Sequence, residues 1–196
     1  MKVTSALAAC LRQATRDAHR RLDSHGVLRP LISPSLSYEE YQRALLALYP
    51  AQWRLEKSIA RGLDALHQDY PMRPRAPALA DDLAAMVQPL PALDETVMLE
   101  VCRPGQLIGL LYVLEGARLG SRIIAHNVHR TLGRQVPSRY FTVVQDDDSW
   151  SVFWQFAERY CSESEQMVAA VAADSAFRLF LSCLDTSHTT ETVICL

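Results

Sequence analysis

A histidine, a carboxylate and an arginine share one side of the first predicted helix. Asp23 follows His19 by four residues, and Arg12 precedes it by seven. At 100° per residue these steps place the three side chains within about 60° of one another. A carboxylate at this spacing can accept the Nδ1–H of the imidazole and leave Nε2 free for a metal ion, while Arg12 could pair with an acidic group of the same ligand. The spacing also fits a surface histidine beside a helix salt bridge, and His25 is the nearest alternative ligand.

Three glycines form a strip without side chains along the longest apolar segment of the chain. Gly109, Gly116 and Gly120 follow one another at steps of seven and four residues. On a helix they lie within about 40° of one another, and each costs up to about 1 kcal/mol relative to alanine. Such a strip is typical of a close crossing with another helix, or of a flat ligand that lies against bare backbone.

Other candidate sites are weaker. His126 and His129 are three residues apart and could share a metal ion, but no third ligand has a suitable spacing, so we expect a surface pair. The sequence holds neither a glycine-rich phosphate loop nor a GxSxG nucleophile elbow. The three tryptophans, Trp53, Trp150 and Trp154, are expected in the core.

The composition narrows the class of protein. Of the 196 residues, 49% are hydrophobic and 21% are charged, which is typical of a folded globular chain and not of a disordered one. A net charge of −2 lacks the basic excess of a dedicated nucleic-acid binder. No apolar run approaches the roughly 18 residues of a membrane span, so we expect no membrane segment. The five cysteines form no CxxC pair, which predicts free thiols in a reducing cytoplasm.

The apolar periodicity predicts an all-α fold with one domain over residues 1–196 and without strands. Pro50 is expected to kink or interrupt the second helix, and Gly133 to end the longest one. Residues 27–36 and 134–147 are expected to be loops, and 185–196 a frayed tail. The predicted helices cover 4–25, 38–66, 79–88, 94–102, 105–132, 149–172 and 174–184.

Two segments of the chain resemble the ligand-binding helices of the heme oxygenases. Residues 11–19, LRQATRDAH, resemble the proximal helix of that family, and residues 112–120, YVLEGARLG, resemble its distal helix in the bacterial form. The two segments occur in the family's order, about 100 residues apart. Phe177 in the last helix also fits a family aromatic residue near the heme. The resemblance extends over nearly the whole chain and agrees with the helical prediction.

The resemblance implies a helical bundle that holds one heme between these two helices. His19 would then be the iron ligand, and Asp23 its acidic partner. Gly116 and Gly120 would let the distal helix lie close over the porphyrin.

Two positions depart from the family pattern beside those glycines. Ala117 stands where family members often have serine or aspartate, and Ser121 where they often have another glycine. The side-chain anchor for water on the distal side is therefore either missing or supplied by Ser121.

The resemblance also implies an activity. Bacterial heme oxygenases open heme to biliverdin and release ferrous iron and carbon monoxide, using molecular oxygen and electrons from an external reductase or ferredoxin. Arg12 and Tyr112 match positions that bind the heme propionates in members that produce the IXα isomer. A bacteriophytochrome is a candidate acceptor of the biliverdin.

Three alternatives stay open at this point. The chain could be a non-catalytic heme-binding or heme-trafficking protein that uses the same His19. It could be a thiaminase-II-like enzyme of similar architecture, although no cysteine has the setting of a nucleophile. It could also be a helical interaction protein without a ligand.

Overall fold

The computed structural model describes residues 5–94, 96–142 and 148–191, with side chains described up to residue 186. The regular secondary structure of these residues is entirely helical, with no strand in the described ranges, which confirms the predicted all-α class. Two short 3₁₀ turns cover Arg29–Ile32 and Glu163–Glu165. The α-helices are α1 (Ala6–Asp23), α2 (Tyr38–Ala65), α3 (Ala76–Ala85), α4 (Pro104–Leu132), α5 (Arg139–Thr142), α6 (Ser149–Tyr160) and α7 (Gln166–Glu191).

Local capping explains where α2 begins. The Ser37 side chain accepts the Glu40 N–H at 3.1 Å, and the Glu40 carboxylate accepts the Ser37 N–H at 2.8 Å. This reciprocal pair satisfies two backbone donors that the helix itself leaves free. The helix then runs through Pro50 without interruption. The proline removes one backbone hydrogen bond, but Tyr49 and Ala51 on either side of it are buried, so packing holds the helix together.

The predicted helix over 94–102 is wrong for the residues that the structure describes, and α3 begins at Ala76 instead of residue 79. The Asp94 carboxylate accepts the Thr96 N–H at 2.9 Å, a local turn that competes with helix formation. Farther along, the Leu99 N–H donates to Ser58 Oγ at 3.0 Å. This part of the chain is therefore an extended strap across α2.

In the C-terminal third of the chain, the boundary between two helices lies at different residues from the predicted ones. Cys161 takes an extended conformation and ends α6, and α7 starts at Gln166 and passes Asp185 without a break. The predicted break near residue 173 and the frayed tail from residue 185 are therefore wrong as far as residue 191, and 192–196 lie outside the described residues. The new junction has a tertiary cause, because the Glu165 carboxylate accepts the Gly105 N–H of α4 at 2.9 Å.

The expected loop over 134–147 contains the short helix α5. The Asp82 carboxylate accepts the N–H groups of Arg139 and Tyr140 at 2.9 and 2.8 Å. Because these are the first donors of the helix, a carboxylate from a distant helix satisfies them. Residues 143–147 of this predicted loop lie outside the described part.

Helix α7 is the platform of the fold. Both α1 and α4 pack on it more extensively than any other helix pair packs, whereas α1 and α4 are not a closely packed pair in the described residues. The segment Glu163–Thr186, which comprises the preceding 3₁₀ turn and most of α7, is long and apolar enough to cross a membrane by length and composition, with a mean hydropathy of 1.6. The expectation that no apolar run approaches the length of a membrane span is therefore wrong, whereas the expected lack of a membrane segment stays a prediction. The apolar character reflects the packing of α7 against its neighbours, which buries 44% of the window.

Candidate functional site

The predicted histidine–carboxylate pair is present on α1. His19 Nδ1 lies 2.8 Å from Asp23 Oδ2, and the two side chains are 58% and 66% exposed. No hydrogen-bond partner of Nε2 occurs in the described part of the chain. The imidazole lies beside the Phe177 ring of α7, with ring centroids 5.4 Å apart. The carboxylate thus fixes the Nδ1–H tautomer, and Nε2 carries the free lone pair.

The structure separates His19 from the alternative ligand His25. The Val27 N–H donates to His25 Nδ1 at 3.2 Å, so the proton of the neutral ring is on Nε2. That nitrogen lies 3.2 Å from Asp185 Oδ1 on α7. Both ring nitrogens of His25 are engaged in the fold, whereas His19 has one engaged and one available.

The other histidine pair does not form a metal site with a third ligand. His129 Nε2 lies 2.7 Å from Ser138 Oγ, and His126 is exposed. Within the described residues, no group of three histidine, cysteine or acidic side chains is arranged to hold a metal ion.

The three glycines of the strip turn out to have two different functions. A Cβ on Gly109 would lie 2.3 Å from the Ala169 carbonyl oxygen of α7, so this glycine permits a close helix crossing. A Cβ on Gly116 would meet only Trp150, at 3.8 Å, and one on Gly120 would meet nothing within 4 Å. Gly120 therefore borders open space, and Gly116 lies at van der Waals distance from Trp150 without a close contact to backbone.

The side chains around the open glycines are apolar and largely uncovered. Leu119 is 57% exposed and Ile123 66% exposed, and at 100° per residue both lie within about 100° of Gly116 and Gly120. Tyr112 lies one turn earlier, half-buried, with its ring centroid 5.7 Å from that of Trp150. The exposed face of α4 is therefore a flat apolar wall of the kind that a planar ligand covers.

The remaining predicted site residues fall into two groups. Arg12 is exposed on the His19 side of α1, and Phe177 is buried beside the imidazole. Ser121 points away from the open face: it is 4% exposed, it accepts a hydrogen bond from Arg75 at 2.9 Å, and it donates to the Ala117 carbonyl at 3.1 Å. Its predicted function as a water anchor is not supported by this position.

A buried polar network behind α4 was not predicted. Glu115 and Arg118 form an ion pair with a nitrogen–oxygen distance of 2.8 Å, and their side chains are 2% and 5% exposed. Burial raises the pKa of Glu115 and lowers the pKa of Arg118, and each charge partly offsets the shift of the other. The sequence signal for this network was the pair of opposite charges, Glu115 and Arg118, three residues apart in a mostly apolar part of the helix.

The arrangement fits a planar apolar molecule that carries a metal ion. One helix offers a free imidazole nitrogen, and another offers bare backbone flanked by aliphatic side chains. The two helices are held apart by their common packing on α7. Two grooves of about 360 and 340 Å³ flank Met167 and Val171 elsewhere on α7, and neither contains His19 or the open glycines.

Comparisons with known proteins agree with this geometry. Residues 5–186 match the sequence model of the heme oxygenase family. A heme oxygenase of Xanthomonas campestris pv. campestris (strain 8004) is 32% identical over 115 residues, which are 57% of this chain and 68% of that protein.

Solved structures share the fold. The NO- and CO-bound heme oxygenase of Neisseria meningitidis superposes with a TM-score of 0.72 at 18% identity, over 92% of this chain and 91% of that one. The heme oxygenase of Leptospira interrogans gives 0.68 at 20% identity, over 92% and 98%. Heme oxygenase-1 of Synechocystis sp. PCC6803 in complex with heme gives 0.68 at 15% identity, over 97% of both chains. With the family match over nearly its whole length, the chain belongs to the heme oxygenase family.

Proposed function

We propose that the protein is an active heme oxygenase, which converts heme to biliverdin, ferrous iron and carbon monoxide with molecular oxygen and external electrons. The observation that carries the proposal is the free Nε2 of His19, on a helix that stands apart from an open glycine face. Heme is the substrate here, and it supplies both the iron at which oxygen reacts and the ring that is opened.

We assign iron binding to His19 and orientation of the His19 imidazole to Asp23. With Nδ1–H held by the carboxylate at 2.8 Å, the imidazole is fixed in one tautomer and presents Nε2 as a neutral nitrogen ligand. The Phe177 ring packs beside the imidazole, with the two ring planes tilted by 59°. The pair therefore positions the heme iron from the α1 side.

Gly116 and Gly120 shape the side of the proposed heme site that lies opposite His19. Because these positions have no Cβ, they would leave room for oxygen and ordered water between the backbone of α4 and a bound porphyrin. The adjacent Leu119 and Ile123 would be covered by the porphyrin, which excludes bulk water from the reacting ring edge.

We further propose that ring opening gives the IXα isomer. Arg12 lies on the His19 side of α1, where its guanidinium can pair with one propionate. Tyr112 lies one turn before Gly116 and can donate its hydroxyl to the other. The two donors would then select one seating of the heme.

A second function is favoured by one observation. Ala117 has no polar group, and Ser121 points into the protein, so neither residue places a hydrogen-bonding side chain on the open face. A heme-binding or heme-trafficking protein without turnover would need no such group. A thiaminase-II-like enzyme is disfavoured, because burial raises the pKa of the Cys161 thiol to about 11 and also raises the pKa of the Cys183 thiol.

The proposed setting is the cytoplasm, with electrons supplied by a reductase or a ferredoxin. A bacteriophytochrome that takes up biliverdin is the proposed acceptor of the product. Free thiols at the described cysteines fit a reducing compartment.

The test is a hemin titration followed by reduction in air. We expect a stoichiometric complex whose Soret band decays as the absorption of biliverdin grows. A Soret band that persists under reductant would assign the protein to the non-catalytic class, and no stoichiometric binding would overturn both functions.

A further inference from the structure

The connection between α2 and α3 makes three hydrogen bonds to α4. The Tyr70 hydroxyl donates to the Glu115 carboxylate. The Arg118 guanidinium donates to the Arg73 carbonyl at 2.7 Å, and the Arg75 guanidinium donates to Ser121 Oγ at 2.9 Å. We call Tyr70, Arg73 and Arg75 the back clamp.

The back clamp holds the side of α4 that lies opposite the open glycines. At 100° per residue, the directions of Glu115, Arg118 and Ser121 centre about 180° from those of Gly116 and Gly120. The contacts occur three residues apart and span the whole glycine stretch. This stretch of α4 is therefore hydrogen-bonded to the back clamp on one side, and the side that carries Gly116 and Gly120 faces away from it.

These contacts are buried, which makes their loss costly. Glu115, Arg118 and Ser121 are 2%, 6% and 4% exposed. A buried donor or acceptor that loses its partner is not rehydrated, so the hydrogen bond is worth more than one at the surface.

The back clamp is itself anchored to α2. The Glu56 carboxylate accepts the Arg75 N–H at 2.6 Å and the Ala76 N–H at 3.0 Å, and it also accepts from Gln52 at 2.6 Å. The Arg75 guanidinium lies over the Tyr140 ring, 4.9 Å from its centroid. The position of Arg75 is thus set by contacts with α2 and α5.

The glycine stretch needs external support, since glycine lowers the intrinsic stability of a helix. We propose that the back clamp fixes the position of residues 115–121 and thereby sets how closely Gly116 and Gly120 lie over the heme. Tyr70 and Arg75 are positioning residues that act on the site through α4. The effect on heme binding rests on the proposed function. The mechanical part, which is the effect of the back clamp on the position of residues 115–121, concerns the ligand-free protein alone.

The mechanical part is tested by amide hydrogen exchange in the ligand-free protein. Tyr70→Phe and Ser121→Ala each remove one clamp contact and leave the ion pair in place. Tyr41→Phe is the matched control, because the hydroxyl of this buried residue donates to the Pro137 carbonyl at 2.8 Å and forms no hydrogen bond with a described residue of α4. We expect amides of residues 116–124 to exchange about five- to tenfold faster in the two clamp variants, as loss of one buried hydrogen bond implies, and at the wild-type rate in the control.

The consequence for the site is tested by the rate of heme loss to excess apomyoglobin and by the Soret maximum of the hemin complex. We expect faster loss and a shifted maximum in the clamp variants, with the control unchanged. Equal exchange in clamp and control variants would overturn the clamp, whatever the wild type does with heme. Failure of the wild type to bind hemin would overturn the proposed function, while the exchange result would still decide whether the clamp exists.

Discussion

His19 and Asp23 are more exposed than a pair that stabilises the fold would be. Exposed ion pairs contribute little to stability, about 0–1 kcal/mol, and both side chains are more than half exposed. Their geometry therefore matters for orientation of the imidazole. His25 shows the contrast, because its Nε2 contacts Asp185 on α7 while its Nδ1 accepts the Val27 N–H.

Replacing His19 with alanine should leave the fold intact and remove the axial nitrogen. We expect a change of about 0.5 kcal/mol or less in the free energy of unfolding, as for most exposed positions. The ferrous carbonyl complex should lose its wild-type absorption spectrum, and turnover should stop. His25→Ala is the control and should keep the wild-type spectrum. A wild-type spectrum in His19→Ala would show that another residue binds the iron.

The double variant Arg12→Ala/Tyr112→Phe removes both proposed propionate donors. We expect the wild type to yield biliverdin IXα and the double variant to yield a mixture of isomers, because the heme would then seat in more than one rotation. Chromatography of the product separates the isomers. A wild-type product that is mainly β or δ would contradict the assignment, and an unchanged α product in the variant would show that the shape of the cleft alone selects the seating.

At the scale of elements, α4 combines a close helix crossing with the proposed binding surface. Gly109 lets it cross α7 closely, and Gly116 and Gly120 keep its outer face bare. The sequence placed all three glycines on one strip, which is correct for the helix. It could not separate their functions, because the difference lies in what faces each glycine and α7 is distant in sequence.

The two functions predict opposite effects of substitution. Gly120→Leu should raise helix stability by about 0.5–1 kcal/mol, since leucine is the better helix former, yet it should sharply reduce heme affinity. Gly109→Ala should destabilise the protein by about 1–3 kcal/mol through overpacking against the Ala169 carbonyl. Thermal unfolding of the apoprotein and hemin titration measure the two effects. Full heme affinity in Gly120→Leu would mean that the open face does not contact the heme.

The junction of α4 with α7 should be sensitive to acid. The Arg103 guanidinium and the Gly105 N–H lower the pKa of Glu165 below its usual 4.5. Its interactions are therefore fully present above about pH 4.5 and weaken as the pH falls through the lower pKa of the folded state. Urea unfolding should show Glu165→Gln less stable than wild type at pH 6, with the difference shrinking toward pH 3. Glu163→Gln, an exposed carboxylate of the same turn, should show no such dependence; a constant difference for Glu165→Gln would contradict the assignment.

Local signals predicted α1, α2 and α4 well, but not α7. The capping pair Ser37 and Glu40 marks the start of α2, and Gly133, with a φ of 91°, ends α4 as expected. The strap over 94–102, helix α5 and the break at Cys161 were missed. Each depends on a partner far along the chain, such as Asp82 for α5, so no local pattern reveals it.

At the scale of the whole molecule, α1 and α4 both pack on α7, and the proposed site lies on these two helices. His19 reaches this platform through Phe177, and α4 reaches it through Gly109. The sequence predicted both binding surfaces and, by resemblance, that they face one ligand. The back clamp was not predicted, since its polar partners come from a proline-rich connection that carries no helical periodicity.

The central claim is that one heme lies between His19 and the open glycines of α4, and a crystal structure of the hemin complex tests it most directly. We expect the iron within coordination distance of His19 Nε2, with the backbone of Gly116 and Gly120 over the opposite face of the porphyrin. Iron bound by another side chain, or a heme seated in the grooves beside Met167 and Val171, would contradict the account.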